Sequence, residues 1–188
     1  RLLSRGLGDV YKRQGRVGPR AIAESVKPIT AVAVAHDDSL IALGEPMSIR
    51  LVSPSGERPD AIVLRRQGRR DQLVFTHDDS VVVSNVRGTT EIELTDLTRR
   101  TTEVVETSVS VQISHLDLHP TEDRVVFATL GSGSYVLDLE TRGIETLADT
   151  GRITVAVWLD DRRVAEGSAE GILIRDVIDG TTEWMHEG

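Results

Sequence analysis

A short motif recurs at a nearly constant distance along this chain, and the recurrence restricts the fold more than any other feature. His36-Asp37-Asp38-Ser39 returns 41 residues later as His77-Asp78-Asp79-Ser80, and looser copies stand at His119-Pro120-Thr121-Glu122-Asp123 and Trp158-Leu159-Asp160-Asp161. A second polar anchor follows each copy about 15 residues later and keeps a similar period. These second anchors begin at Ser53, Thr95, Asp138 and Asp176. Two anchors with one period predict four copies of one structural unit.

Each unit contains four short apolar stretches separated by turn-forming residues, which predicts four strands per unit. The predicted strands span 30–35, 40–44, 48–52 and 61–64, then 71–76, 81–85, 90–94 and 102–105, then 111–118, 124–129, 134–137 and 143–147, and finally 153–158, 163–167, 171–175 and 181–185. Several middle strands are apolar at consecutive positions, as in Val81-Val82-Val83 and Val125-Val126-Phe127. Consecutive apolar residues indicate that both faces of each sheet are covered.

A period near 40 residues with four strands per unit is typical of a β-propeller, and the units resemble the WD-repeat family. His119-Pro120-Thr121-Glu122-Asp123 matches the turn after the first strand in that family, and Leu137-Asp138 and Arg175-Asp176 match the pair that closes the third strand. Tyr135 to Thr141 also resembles bacterial repeats of the Tyr-Val-Thr-Asn type. No unit has the family's Trp or its Gly-His pair. The resemblance therefore implies degenerate blades held mainly by apolar packing.

The predicted fold class is all-β, with an arc of about four four-stranded antiparallel blades that belongs to a larger ring. The blades are predicted at 29–66, 67–107, 108–150 and 151–188. Residues 15–28 are interpreted as a linker that contains a candidate last strand of a preceding blade. Residues 1–14 match nothing downstream, and back-translation of Ser4 to Gln14 resembles a transposon-type adapter from sequencing libraries. We therefore expect an adapter artefact there, with a disordered basic N-terminus as the alternative.

Composition narrows the class of function. The formal net charge is −8, which disfavours nucleic-acid binding because binding to phosphates requires an excess of Lys and Arg. No apolar run approaches the ~20 residues needed to cross a bilayer, so no membrane contact is expected. The chain has no cysteine. No cofactor is predicted, and a cytoplasmic location is expected.

Four arginines between the first and second units form the densest basic patch, at Arg65, Arg66, Arg69 and Arg70. Linkers between blades lie on one rim of a propeller, so this patch is predicted to bind an acidic partner or a phosphate. The alternative is a solvated loop with internal salt bridges. The two His-Asp-Asp turns could suggest metal ligands. We interpret them as turn formers because nothing in the sequence brings them together, and no metal site is predicted.

No catalytic residues are predicted, since the chain lacks Gly-x-Ser-x-Gly and any glycine-rich loop that precedes a helix. The predicted function is a non-catalytic interaction or sensor module that presents its rims to a protein partner. The family resemblance implies fusion to a signalling ATPase or kinase domain that this chain lacks. The alternative is a propeller-type hydrolase or lyase with its site at the central channel. Asp117 is the one charged residue in the first strands that would line this channel, which disfavours the alternative.

Overall fold

The computed structural model of the protein describes residues 27–55, 61–64, 68–148 and 152–187, with backbone alone for 61–64 and 186–187. The predicted adapter at 1–14 and the predicted strand of a preceding blade lie outside these ranges. Within the described residues the chain forms strands and turns and no helix. The strands are β1 (Ala31–Val34), β2 (Ile41–Glu45), β3 (Ser48–Val52), β4 (Ala61–Leu64), β5 (Arg70–Phe75), β6 (Val81–Val86), β7 (Glu91–Asp96), β8 (Thr101–Glu106), β9 (Ile113–Leu118), β10 (Arg124–Thr129), β11 (Gly133–Asp138), β12 (Ile144–Ala148), β13 (Val155–Trp158), β14 (Arg163–Ser168), β15 (Gly171–Asp176) and β16 (Thr182–Glu187).

The strands assemble into four antiparallel sheets, each built from four strands that are consecutive in the chain. The first sheet contains β1 to β4, the second β5 to β8, the third β9 to β12 and the fourth β13 to β16. Every strand begins and ends within two residues of its predicted bounds. The all-β, four-by-four antiparallel prediction is therefore confirmed. Short turns can connect the strands within each sheet because each strand pairs with the next one in the sequence.

Apolar side chains between successive sheets form three separate clusters. Phe75 and Val82 of the second sheet pack against Ala42 and Ile49 of the first sheet. In the third sheet, Val125 and Phe127 belong to the cluster shared with the second sheet. Their neighbours Val126 and Ala128 belong to the cluster shared with the fourth sheet. Alternate residues of one strand thus enter two different clusters, which confirms that both faces of this sheet are covered.

The first strands of successive sheets contact one another, β1 with β5, β5 with β9 and β9 with β13. The turns between the first and second strands therefore lie side by side at one end of the assembly, which we call the turn rim. The opposite end, which we call the linker rim, carries the links between sheets and the turns between the second and third strands. Side chains of equivalent turns in successive sheets therefore lie on the same rim, although they are about 40 residues apart in the sequence.

Backbone hydrogen bonds fix how the repeated turns correspond. Ala35 N–H donates to the Leu40 carbonyl, Thr76 N–H to the Val81 carbonyl, and His119 N–H to the Arg124 carbonyl. His119 therefore occupies the position of Ala35 and Thr76, and the sequence alignment of His119 with His36 and His77 is shifted by one residue. Asp38 and Asp79 have φ of 58° and 54°, a left-handed conformation that Asp tolerates better than most residues.

Candidate functional site

The His-Asp-Asp turns lie on the turn rim and join the first and second sheets. Asp79 accepts hydrogen bonds from the backbone N–H of His36 at 2.8 Å and of Asp37 at 3.1 Å. Nδ1 of His36 lies 2.9 Å from the same carboxylate, and the His36 and His77 ring centroids are 5.3 Å apart. The interpretation that nothing brings the two turns together is therefore wrong. Residues 43 positions apart meet because the turns of successive sheets are neighbours in space.

Histidines also join the following sheets. Nε2 of His77 lies 2.8 Å from the His119 carbonyl oxygen, and Nε2 of His119 lies 3.0 Å from the Asp161 carbonyl oxygen. The His119 ring is buried, and its Nδ1 accepts from the backbone N–H groups of Thr121 and Glu122. These contacts require the proton on Nε2 of His119. Among the described residues, no group of three or more His, Cys, Asp or Glu side chains is placed to hold a metal ion.

Arg70 is not on the surface, which corrects one member of the predicted basic patch. Its side chain is completely buried and forms a two-pronged ion pair with Glu93, with Nε at 3.1 Å and Nη2 at 2.9 Å from Oε2. Glu93 is also completely buried and accepts a hydrogen bond from Ser84 at 3.3 Å. Nη1 of Arg70 donates to the Gly68 carbonyl at 2.7 Å. Arg70 therefore forms its ion pair in the interior of the second sheet and cannot contact a partner at the surface.

Of the other three residues in the predicted patch, the structure describes Arg69 alone. Arg69 is half exposed on the linker rim and pairs with Asp71 at 2.9 Å. Arg87, which the sequence analysis did not single out, approaches the same carboxylate at 3.7 Å. Arg65 and Arg66 lie outside the described residues. Partner binding by Arg65, Arg66 and Arg69 stays a prediction, with Asp71 already neutralising part of the local positive charge.

A groove of about 440 Å³ opens on the turn rim, between the second and third sheets. Its apolar lining comes from Val81, Leu94 and Leu139. Its charged lining consists of five carboxylates and two guanidinium groups. They belong to Asp78, Asp96, Glu103, Asp123 and Glu140, and to Arg99 and Arg142. With all of them ionised, the groove carries a net charge of −3 (two positive, five negative).

Hydrogen bonds hold three of these carboxylates in the ionised form. The backbone N–H and hydroxyl of Ser80, followed by the Thr76 hydroxyl, lower the pKa of Asp78. The backbone N–H of Arg99 is the largest influence that lowers the pKa of Asp96, and the side chain of Arg142 does the same for Glu103. A carboxylate that accepts several hydrogen bonds favours its charged state. Asp78, Asp96 and Glu103 therefore stay ionised well below neutral pH.

The two guanidinium groups each pair with one carboxylate of the groove. Arg99 lies 3.0 Å from Asp96 within one turn, and Arg142 of the third sheet reaches Glu103 of the second with contacts of 3.0 and 2.7 Å. The Arg142–Glu103 pair thus bridges the two walls. Asp123 and Glu140 also line the groove, and no guanidinium group in the described part of the chain pairs with either carboxylate. These two carboxylates face solvent and are accessible to a cationic group from outside.

Polar side chains of β9 attach the third sheet to the fourth. Asp117 accepts a hydrogen bond from the Trp158 N–H at 2.8 Å, His115 contacts the Ala156 carbonyl at 3.0 Å, and Ser114 donates to the Thr154 carbonyl at 2.7 Å. Burial is the largest influence on Asp117 and raises its pKa. The one charged residue predicted in the channel-lining strands therefore binds the backbone of the neighbouring sheet.

Replacing Asp117 with asparagine is expected to stabilise the protein progressively as the pH rises above 3.8, the ordinary pKa of this carboxyl. Because the folded-state pKa is raised, the native protein loses stability as the pH rises from that ordinary value through the folded value. Asparagine keeps an acceptor for the Trp158 N–H and carries no charge. Urea unfolding of both proteins at a series of pH values measures the difference. A difference that is independent of pH would contradict the raised pKa.

No helix among the described residues is long and apolar enough to cross a membrane.

Solved structures with similar folds fit this architecture. The β-propeller protein TolB from Acinetobacter baumannii matches with a TM-score of 0.69 and 17% sequence identity over 91% of this chain and 46% of its own. A Bacteroides thetaiotaomicron protein of unknown function matches with a TM-score of 0.65 and 15% identity over 89% of this chain and 45% of its own. This chain thus spans less than half the length of either protein. The described sheets form an arc of a β-propeller.

No protein-family model matches the sequence, and the comparison with curated proteins finds no match. The resemblance to WD repeats therefore stays a prediction.

Proposed function

We propose that this propeller arc is a non-catalytic interaction module that binds a basic segment of a protein partner in the groove between its second and third sheets. The observation that carries the proposal is the groove itself, which combines an apolar lining with a net charge of −3. The same proposal includes three expectations from the sequence. The blades are of a degenerate WD type, the protein is cytoplasmic, and a signalling ATPase or kinase domain is linked to the propeller.

The lining matches the chemistry of a lysine or arginine side chain. Such a side chain has an apolar stem and a cationic tip, and it gains most where the stem meets hydrocarbon and the tip meets a carboxylate. Leu94 and Leu139 supply hydrocarbon, and Asp123 and Glu140 supply carboxylates that pair with no arginine among the described residues. A volume of about 440 Å³ accommodates one or two such side chains of a peptide.

The groove is also suited to selective binding. Arg142 pairs with Glu103 and Arg99 pairs with Asp96, so an acidic segment would have to break one of these two pairs to find a cation in the groove. A basic segment meets the remaining carboxylates without breaking any pair. Complementary charge of this kind steers association and selects the partner more than it adds affinity.

The proposal predicts that a fluorescent oligolysine peptide binds the chain more tightly than a matched oligoglutamate peptide, and that binding weakens as salt is added. Replacing both Asp123 and Glu140 with their amides should weaken oligolysine binding by about fivefold or more, since one ion pair in water is worth about 1 kcal/mol. Fluorescence anisotropy measures both affinities.

The matched control is the double variant Glu170→Gln/Glu183→Gln, which removes the same charge from exposed positions of the fourth sheet. We expect this control to bind oligolysine nearly as tightly as the native chain. Equal weakening in both double variants would show that only the net charge matters and would overturn the groove as the site. Absence of oligolysine binding to the native chain would overturn it as well.

The alternative function, a hydrolase or lyase with its site at the channel, rests on a second cavity of about 330 Å³ along the first strands. His36, His77, Asp117 and His119 line it. All four side chains make hydrogen bonds or ion pairs between sheets, which favours a role in joining the sheets. Turnover of any compound in a panel of hydrolase and lyase substrates, abolished by Asp117→Ala in a folded protein, would favour the enzyme.

A further inference from the structure

A smaller groove lies on the turn rim, one junction along from the groove of the proposed function, which we now call the first groove. The smaller groove has a volume of about 260 Å³ and opens on the face of the third sheet that packs against the fourth. Both sheets of this junction belong to the described chain, so no other sheet of a ring can occupy it. We call it the neighbouring groove, and it is lined by Arg124, Val136, Asp138, Gly143, Ile144 and Glu145.

The neighbouring groove repeats one wall of the first groove. Val136 of β11 pairs with Glu145 of β12, as Leu94 of β7 pairs with Glu103 of β8. Leu94 belongs to the apolar cluster shared with the third sheet, and Val136 to the cluster shared with the fourth. Glu145 therefore occupies the position of Glu103, beside hydrocarbon and directed toward the next sheet along the chain.

The opposite wall differs at the residue that matters for Glu145. Arg142 and Gly180 occupy equivalent places in their turns, because the N–H of each donates to the carbonyl four residues earlier. Both also adopt the left-handed conformation, with φ of 64° and 72°. Glycine has no guanidinium group, so the ion pair that Glu103 makes with Arg142 is not repeated. Glu145 is exposed, and no guanidinium group in the described part of the chain pairs with it.

The other two charged residues of the neighbouring groove already have partners. Arg124 pairs with Glu122 at 2.6 Å. Asp138 accepts backbone hydrogen bonds of 2.7 and 3.0 Å within its own turn. With all lining groups ionised, the neighbouring groove carries a net charge of −1 (one positive, two negative). Glu145 is therefore the carboxylate that remains open to a cationic group from outside.

We propose that the basic segment of the partner crosses the turn-rim end of the third sheet and places cationic side chains in both grooves. This inference rests on the proposed function. Asp123 and Glu140 line the first groove on one side of the third sheet, and Glu145 lines the neighbouring groove on its other side. Packed sheets lie about 10 Å apart and an extended chain advances about 3.3 Å per residue, so the two cationic side chains stand about three to five positions apart.

Two contacts on one segment reinforce each other. Once the first groove holds one cationic side chain, the other meets Glu145 at an effective concentration in the millimolar range, so the affinity rises although each contact is weak. A segment with a single basic cluster gains only one contact. The preferred partner is therefore an extended segment with two basic clusters at this spacing.

Fluorescence anisotropy with two labelled peptides of equal length tests the proposal. Lys-Lys-Gly-Ser-Gly-Lys-Lys carries two basic clusters, and Lys-Lys-Gly-Ser-Gly-Ser-Ser carries one. The two-cluster peptide should bind the native chain at least about tenfold more tightly. Glu145→Gln should weaken the two-cluster peptide about fivefold and leave the one-cluster peptide nearly unchanged. The matched control Glu183→Gln removes the same charge from an exposed position of β16 and should change neither affinity.

An added arginine should close the neighbouring groove. Gly180→Arg places a guanidinium group where Arg142 stands in the preceding turn, so it should pair with Glu145 and weaken the two-cluster peptide about fivefold. No described atom lies within 4 Å of the Cβ position at Gly180, and Arg142 already adopts the same conformation. Gly131→Arg is the matched control, because Gly131 is an equally open left-handed glycine on the linker rim. It should leave binding nearly unchanged, and circular dichroism verifies that each variant is folded.

The outcomes separate this inference from the proposed function. If neither peptide binds the native chain, the proposed function fails and this inference fails with it. If the one-cluster peptide binds and the two-cluster peptide binds no more tightly, the first groove stands and the neighbouring groove is overturned. Equal weakening by Glu145→Gln and Glu183→Gln, or by Gly180→Arg and Gly131→Arg, would show that only net charge matters and would also overturn the inference.

Discussion

Replacing Glu93 with glutamine is expected to lower the free energy of unfolding by about 3–5 kcal/mol, as found when one partner of a buried ion pair is removed. Glu93 and Arg70 have completely buried side chains and contact each other at 2.9 to 3.2 Å. Glutamine preserves the shape of the side chain, and the positive charge of Arg70 then stays in the interior without the charge of the Glu93 carboxylate. Urea unfolding followed by circular dichroism measures the loss.

A double replacement separates the cost of removing one charge from the contribution of the Arg70–Glu93 ion pair to stability. The double variant Arg70→Met/Glu93→Leu removes both charges and fills most of the same space with apolar side chains. We therefore expect it to recover most of the stability that Glu93→Gln loses. The matched control is Glu103→Gln, which breaks the half-exposed pair with Arg142 and should change stability far less. If Glu93→Gln and Glu103→Gln had equal effects, burial would not determine the strength of these pairs.

Replacing Phe127 with alanine is expected to cost about 3–5 kcal/mol, the usual range for a large buried aromatic side chain. Phe127 is completely buried between the second and third sheets, and its ring stacks on Tyr135 with centroids 5.1 Å apart. The loss would include both the hydrocarbon returned to water and the cavity left between two sheets that cannot close over it. Thermal and urea unfolding both report this change.

Phe127→Leu and Ile178→Ala are the comparisons for this prediction. Leucine fills most of the same space, so Phe127→Leu should lose clearly less stability than Phe127→Ala. Ile178 is 75% exposed, and its truncation should be nearly neutral. A Phe127→Ala variant as stable as the native chain would mean that packing between the second and third sheets is not what holds them together.

The sequence alone predicts the strands because their signals are local. Val125-Val126-Phe127 is apolar at consecutive positions, and the structure places these side chains in two different apolar clusters. The Asp-rich turns could also be located, since Asp38 and Asp79 adopt the left-handed conformation that tight turns require. Each of these features depends on residues that are close in sequence.

The sites were harder to predict because they depend on which residues meet from different units. Arg70 stands in a run of arginines that looks like a surface loop, yet it begins β5 and pairs with a glutamate 23 residues later. One signal could have revealed this pair. Glu93 lies in the middle of the predicted strand 90–94, next to the apolar strand Val81-Val82-Val83 whose pattern indicates a sheet covered on both faces. A buried carboxylate needs a positively charged or hydrogen-bonding partner.

The repeat of about 40 residues by itself determined that this chain folds as consecutive four-stranded antiparallel sheets, because period, turn chemistry and strand pairing between neighbours are all encoded locally. Only the tertiary structure decided what the repeated turns do. His36 meets Asp79 and His77 meets His119 because successive sheets place equivalent turns side by side. The same stacking buries Arg70 and opens a groove between the second and third sheets. Contacts between sheets join residues about 40 positions apart in the sequence. A pattern of neighbouring residues cannot predict which of these distant residues meet or how close they lie.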